Sequence, residues 1–256
     1  MIAVVERSLG VVAERSHNPG LRRFGVPLGG PWDTHAAQLC NAAVGNALDS
    51  TIWEILNGTA KISVRSRGSL AALGQSIQIN RHGGIESGSR RIDLEPGEVI
   101  EIRANVGYMS LGSRELPVAR FEDPIPSELT TLRYLPSRTE SIQESVTVSP
   151  KSNRMGIRLI GGTPSHLERP SEPTCPGAIQ QTPSGEYIVI GPDGPTIGGY
   201  PRIGVVIEAD FRILPYLSPS MPVTLRPVDL EAATLALQSQ LAQSIQAIKL
   251  VQLGIG

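Results

Sequence analysis

A mainly β protein with a few helices is the fold class this sequence predicts, and three observations predict it. Short apolar runs rich in Val, Ile and Leu recur between turn residues, as the strands of a barrel or sandwich do. Glycine (27) and proline (21) are abundant, so turns must be many. Only three phenylalanines occur, which leaves a core packed mostly with aliphatic side chains.

Taken in order, Ile2–Val5 and Gly10–Ala13 are β-branched runs around Ser8-Leu9-Gly10 and read as a short hairpin. The glycines and prolines of Phe24–Asp33 forbid both helix and central strand, so this stretch is an ordered loop or the wall of a site. Asp33 then caps a helix over Thr34–Val44, with Gly45 just past its end. Ala36, Leu39, Cys40, Ala43 and Val44 share one face of that helix, small enough to pack closely on a sheet.

Strands follow at Ile52–Leu56, Lys61–Val64, Leu70–Leu73, Ile77–Ile79 and Val99–Ile102. Asn57-Gly58, His82-Gly83-Gly84 and Glu95-Pro96-Gly97-Glu98 read as turns between them. The proline-bearing stretch Phe121–Pro126 is the predicted linker, which divides the chain into an N-terminal β half, 1–125, and a C-terminal β-barrel half with a helix, 126–256. In the second half Ser145–Val148, Ile157–Ile160 and Val223–Arg226 read as strands. Asp229 then caps a long helix striped by Leu230, Ala233, Leu237, Leu241, Ile245 and Ile248.

Composition narrows function. Net charge is −1 and only Lys61, Lys151 and Lys249 are lysines, so no basic stripe is available for a nucleic-acid backbone. Cys40 and Cys175 stand far apart, which indicates neither a disulfide framework nor a metal quartet. His166 has no partner histidine at ligand spacing and is assigned no role. No run of eighteen apolar residues occurs and the N-terminus carries charges within its apolar run, so the expectation is a mature cytoplasmic protein without membrane contact. No Ser-His-Asp, Cys-His or phosphate-loop pattern appears, which argues against a self-sufficient hydrolase or ATPase.

The best site candidate is Gly177–Asp210. Two β-branched runs, Tyr187–Ile190 and Ile203–Ile207, flank a connection holding Asp193, Thr196, Gly198, Gly199 and Tyr200. Gly198 and Gly199 let backbone N–H groups approach a ligand, and Asp193, Thr196 and Tyr200 add polar side chains. A second turn, Ser149–Gly156, presents Arg154, whose guanidinium either captures a carboxylate or phosphate or pairs with a neighbouring acid.

Several ordered blocks carry a family resemblance. They are Ser152-Asn153-Arg154-Met155-Gly156, Pro176-Gly177-Ala178-Ile179-Gln180, Thr196-Ile197-Gly198-Gly199-Tyr200-Pro201 and Val205–Asp210, with Pro19-Gly20, Gly25-Val26-Pro27, Gly30, Asp33 and Val44-Gly45-Asn46 in the first half. In these the chain resembles the family of the C subunit of 5-oxoprolinase, also called allophanate hydrolase subunit 2, which is similar to the carboxyltransferase part of urea carboxylase. The resemblance implies two cyclophilin-like β-barrel halves in tandem, and a homologous B subunit with a third oxoprolinase subunit for partners. It also implies ATP-dependent opening of the lactam 5-oxoproline to glutamate. ATP would be used by the complex, and biotin is not expected on this chain.

On that pattern Arg154 would hold a substrate carboxylate, Asn153 and Gln180 would read its amide, and Thr196, Gly198 and Gly199 would present donors. Asp193 or Tyr200 would handle the proton. The alternatives are a non-catalytic binding or regulatory subunit, like relatives that act on a sporulation-kinase regulator, and a urea or allophanate carboxyltransferase-like protein. The chain departs from the family where Arg15 replaces an aspartate, Gly29 a serine, Trp32 a methionine and Ile197 a threonine. It is also shorter, lacking a glycine-rich insert after Arg114.

Overall fold

The computed structural model describes residues 2–15, 17, 19–113, 126, 128–137, 142–164 and 170–254. His166 and the predicted linker, apart from Pro126, lie outside them. The chain is mainly β and divides into two units. One gathers the stretches within 1–16, 33–125 and 243–256, the other those within 17–32 and 126–242. The division therefore departs from a single cut near 125 in two places: 17–32 groups with the second half and 243–256 with the first.

In the first unit, strands β1 (Ala3–Glu14), β2 (Ile52–Val64), β3 (Gly68–Gln75), β4 (Gln78–Arg81), β5 (Gly84–Ser87), β6 (Arg90–Leu94) and β7 (Val99–Gly112) form one antiparallel seven-stranded sheet. Its main path runs β1-β2-β7-β3-β6, with β4 added on β7 and β5 on β4.

The hairpin expected around Gly10 and the turn expected at Asn57-Gly58 are both absent. Instead β1 and β2 run the length of each other, with the register shifting between Leu9 and Val11. The two glycines explain it. Gly10 sits at φ +64°, and a Cβ there would lie 2.5 Å from the Leu56 carbonyl, while one on Gly58 would lie 2.2 Å from the Leu9 carbonyl. They make a bulge at which two backbones touch, and a turn signal in sequence becomes a bend within a strand. The turn at His82-Gly83 is found as expected: both residues have positive φ and close the two-residue β4–β5 hairpin.

Helix α1 (Thr34–Ala43) is capped by Asp33, whose Oδ1 accepts from the Ala36 N–H at 3.1 Å. Its small-residue face is buried, and the Cys40 thiol donates to the Tyr108 carbonyl of β7 at 3.0 Å. Burial pushes that thiol well above its ordinary range, so Cys40 is a packing residue.

In the second unit, β8 (Thr131–Pro136), β9 (Glu144–Val148), β10 (Gly156–Ile160), β12 (Ala178–Gln181), β13 (Tyr187–Ile190), β15 (Arg202–Val206) and β16 (Pro222–Pro227) close a barrel in the order β10-β13-β12-β15-β8-β16-β9. All pairings are antiparallel except β8 with β16. The barrel is filled by Leu132, Val146, Val148, Leu159, Ile179, Val189, Val223 and Leu225 with Tyr134 and Tyr187. Both tyrosine hydroxyls are satisfied: Tyr134 bonds the Ile142 backbone and Tyr187 donates to Glu144 at 2.9 Å. Two further strands, β11 (Glu172–Pro173) and β14 (Ile197–Gly198), form a separate antiparallel ribbon.

Short helix α2 (Glu208–Phe211) places Asp210 to accept from the Arg133 backbone N–H at 2.8 Å and from its guanidinium. Helix α3 (Leu230–Leu253) is capped by Asp229, as expected, through the Ala232 N–H at 2.8 Å. Its predicted stripe needs correction. Ala233, Ser244 and Ile248 are buried at helical spacing, whereas Leu230, Leu241 and Ile245 are exposed. The covered positions include a serine and leave three of the predicted apolar ones in solvent, so hydrophobicity alone does not set the rotation of this helix. Among the described residues no helix is long and apolar enough to cross a membrane.

Because Asp210 is buried and serves three Arg133 donors, Asp210→Ala is expected to cost about 1–3 kcal/mol of unfolding free energy, read as a lowered urea midpoint at unchanged slope. A midpoint equal to that of the native chain would contradict this account.

Candidate functional site

The barrel's pairing sets which connections meet. Gly156 opens β10 directly opposite Ile190, which ends β13, so the turn before β10 and the connection after β13 emerge side by side. They are bonded to one another: Gly191 N–H donates to the Met155 carbonyl at 3.0 Å and Asp193 N–H to the Arg154 carbonyl at 3.2 Å. The approach is so close that a Cβ on Gly191 would fall 2.2 Å from the Arg154 carbonyl oxygen.

Asn153 shapes the turn. Its backbone exchanges hydrogen bonds with Gly156 at 3.1 and 2.9 Å, and its Oδ1 accepts from the Met155 N–H at 2.8 Å. Arg154, 8% exposed, is then pointed at Asp193 in a bidentate pair, Nε to Oδ2 at 2.6 Å and Nη2 to Oδ1 at 2.9 Å. Nη2 also donates to the Gly30 carbonyl at 2.9 Å. Of the two uses open to Arg154 in the sequence, the structure therefore shows the pairing with an acid. Arg154 and Asp193 latch three segments together, the third being 17–32, which Gly29 N–H ties further to the Pro192 carbonyl at 3.0 Å.

Segment 17–32 turns through a 3-10 helix, Pro19–Phe24, and ends with Trp32 in the barrel core. His17 lies over Gly30, where a Cβ would meet its Cδ2 at 2.2 Å. Burial is the largest influence on the His17 ring and lowers its pKa below the ordinary histidine value; the Arg154 charge adds to this, while the Pro31 backbone bond and Glu208 oppose it.

The other candidates gather at the β11–β14 ribbon. Gln180 follows Ile179 of the barrel core on β12, so strand alternation turns it away from that core, yet it is only 4% exposed. What covers it is β14: a Cβ on Gly198 would lie 2.2 Å from Gln180 Nε2. Gly198 is thus a glycine so that a side chain can lie against its backbone. Glu172 pairs with Gly198, Pro173 with Ile197, and the ladder continues through Thr174 N–H to the Thr196 carbonyl at 3.0 Å. Alternation puts Thr174, Thr196 and Gly198 on the Gln180 side of the ribbon and Ile197, 60% exposed, on the other. Gly199 lies next along, 3.4 Å from Ser171 Oγ at its Cβ position, and Tyr200 is exposed.

The predicted site residues therefore fall into two groups joined by one connection: Asn153, Arg154 and Asp193 at the latch, and Gln180 beneath the ribbon that carries Thr196 and Gly198, with Gly199 and Tyr200 beyond it. Sequence reasoning passed over Arg22, whose Nη2 donates to the Thr174 carbonyl at 2.6 Å, and Thr174 itself. A single arginine among Gly-Leu-Arg-Arg-Phe carries no local signal, and its place is set by the latch.

Two measurements test this geometry. Arg154→Ala and Asp193→Ala are each expected to destabilise by about 1–3 kcal/mol, and the double variant by clearly less than their sum, since both remove one interaction; strict additivity would show that they are not paired. For His17 the folded-state pKa lies below the unfolded one, so the stability it contributes is complete above about pH 6.5 and is lost as pH falls through that value towards the folded pKa. The stability gap between the native chain and His17→Gln should therefore narrow from pH 7.5 to pH 5, and a constant gap would mean that the ring is solvated.

Comparison with known proteins follows the same architecture. The model of the carboxyltransferase domain, subdomains A and B, matches residues 24–111 and 135–227. The chain is 38% identical over 96 residues to the C subunit of 5-oxoprolinase from Escherichia coli (strain K12), a match covering 36% of this chain and 31% of that protein. It spans less than a third of that relative's length. Among solved structures it is similar to Kluyveromyces lactis urea carboxylase, with a TM-score of 0.80 and 20% identity over 96% of this chain and 29% of that one. The K. lactis urea amidolyase structure gives the same TM-score and identity, with 20% of its chain covered. These last two likenesses bear on the fold alone. Matched over more than half its length, the chain belongs to the family of the carboxyltransferase domain, subdomains A and B.

Proposed function

We propose that this chain is a subunit of an ATP-dependent lactam hydrolase of the 5-oxoprolinase type, which adds water across the ring C–N bond of 5-oxoproline to give glutamate. It would work with a homologous B subunit and a third subunit, ATP being consumed by the complex. The name of the E. coli relative supports the family-level part of this reading.

One observation carries the chemistry: a glutamine carboxamide, Gln180, in a residue only 4% exposed, lies beneath β14 and has no side-chain hydrogen bond among the described residues. An amide that no protein group engages is open to a ligand's. A lactam holds its amide cis, with N–H and C=O on a single edge, and the carboxamide offers the complementary carbonyl and NH₂ on one edge of its own. The two can form a paired hydrogen bond that an open-chain trans amide cannot. Gly198 borders that edge, and it, Thr196 on the same face and Gly199 next along would supply the remaining donors to the carbonyl as it becomes an oxyanion. Tyr200, on the same connection, is the proton-handling group in this reading, since both Asp193 oxygens are engaged by Arg154. Arg154 and Asn153 hold the loops and do not touch substrate.

The engagement of Asp193 also favours a second reading, a binding or regulatory subunit that recognises an amide without turning it over. One reconstitution separates them. The chain with its partner subunits, ATP and 5-oxoproline is expected to yield glutamate, and Gln180→Leu to lower kcat/KM by at least about tenfold. Unaltered turnover in Gln180→Leu would overturn the assignment, and binding of 5-oxoproline without glutamate under any partner set would establish the second reading.

A further inference from the structure

The same ribbon carries a second set of buried polar atoms that neither the latch nor the amide pair uses. Arg22 spends Nη2 on the Thr174 carbonyl, yet its Nη1 is buried with no hydrogen-bond partner among the described residues. Thr174 Oγ1 is likewise buried and unpartnered, in a residue only 7% exposed. A guanidinium nitrogen withdrawn from water with nothing to donate to is costly, and the buried hydroxyl of the residue whose carbonyl Arg22 holds adds to that cost. The ribbon's alternation sets Thr174 on the face that Gln180 occupies, two residues along the ladder from the Glu172–Gly198 pair that covers the carboxamide. The acid on that face, Glu172, is itself paired with Arg202 at 3.8 Å.

We propose that Arg22 and Thr174 form an anion subsite next to the Gln180 carboxamide, and that it takes the carboxylate of the amide substrate. The proposal rests on the reading of Gln180 given above and supplies what that reading lacks, since Arg154, the arginine expected to hold the carboxylate, is fully engaged with Asp193 and Gly30. Arg22 Nη1 donates two N–H bonds to the carboxylate oxygens and Thr174 Oγ1 a third. Recognition then requires an amide and a carboxylate held a fixed short distance apart, as they are in a lactam bearing a carboxyl on the ring carbon next to nitrogen. A neutral lactam or urea would fill only half of the site. Arg22 is a specificity-determining residue in this account, with no part in bond breaking.

The test uses the full chain and two probes, 5-oxoproline and 2-pyrrolidinone, which is the same lactam without the carboxylate, titrated by chemical-shift perturbation. The native chain is expected to prefer 5-oxoproline by at least about tenfold, the scale of one charge-assisted contact. Arg22→Gln should abolish that preference by weakening 5-oxoproline alone, and Thr174→Val should reduce it. Arg22→Lys, which keeps the charge, should retain part of it. In the native chain acetate should compete with 5-oxoproline and leave 2-pyrrolidinone untouched, a readout that does not depend on any variant folding. A native chain showing no preference, including one that binds neither probe, overturns the proposal, as does a preference that survives in Arg22→Gln or acetate that fails to compete. Failure of the carboxamide reading is seen separately: 2-pyrrolidinone binding would then persist unchanged in Gln180→Leu.

Discussion

The closure of the second unit depends on one parallel pairing. In a ring of seven strands neighbours cannot alternate in direction all the way round, so at least one pair must run parallel, and here it is β8 with β16. Thr131–Tyr134 runs alongside Thr224–Pro227, and β8 is further fixed by Asp210 bonding both the backbone and the guanidinium of Arg133. Once the ring is shut there are no free edges, and the register of each strand determines which connections emerge together. The adjacency of the Arg154 turn and the Asp193 loop follows from Gly156 facing Ile190 and needs no further cause.

That placement changes what the polar residues are for. An arginine in a turn of Ser, Asn and Gly looks from sequence like a ligand-capturing group, and an aspartate in a glycine-rich loop like a catalytic one. Placed opposite each other at the same barrel end they satisfy one another in a bidentate guanidinium–carboxylate pair, with the arginine only 8% exposed. The Gly30 carbonyl on the same guanidinium then holds segment 17–32, and with it Arg22, in place. A latch replaces a clamp.

Much of the fold was legible because its signals are local. Asp33 capping α1, Asp229 capping α3, the positive-φ pair His82-Gly83, and the β-branched runs at Tyr187–Ile190 and Ile203–Val206 each declare themselves within a few residues. What misled were glycines whose reason lies elsewhere in the chain. Gly10 and Gly58 punctuate the sequence like turn residues, but each is small because the other strand's carbonyl passes over it. Gly198 likewise gives way to the Gln180 side chain, eighteen positions earlier. The exposed apolar positions of α3, Leu230, Leu241 and Ile245, show the same limit, since hydrophobicity alone did not say which face could come close enough to pack.

The candidate site residues could be named from the sequence, but the contacts they make could not. Gln180 entered the sequence reading only through the family pattern, because a glutamine after Ala-Ile on a short strand has no signature of its own. Its significance is that strand alternation turns it away from the barrel interior while Gly198 of β14 lies over its carboxamide, a combination that requires β12 together with a ribbon whose strands β11 and β14 come before and after it in the chain. Near it, a polar atom buried without a partner is either a folding cost left uncompensated or a group awaiting a partner. Arg22 Nη1 and Thr174 Oγ1 are two such atoms, tied together by the bond from Arg22 to the Thr174 carbonyl, and the first alternative would make each an independent loss. With the Gln180 carboxamide on the same face as Thr174, the kinds of group present, an amide edge, a hydroxyl and a cation, are those that would complement one small acidic amide.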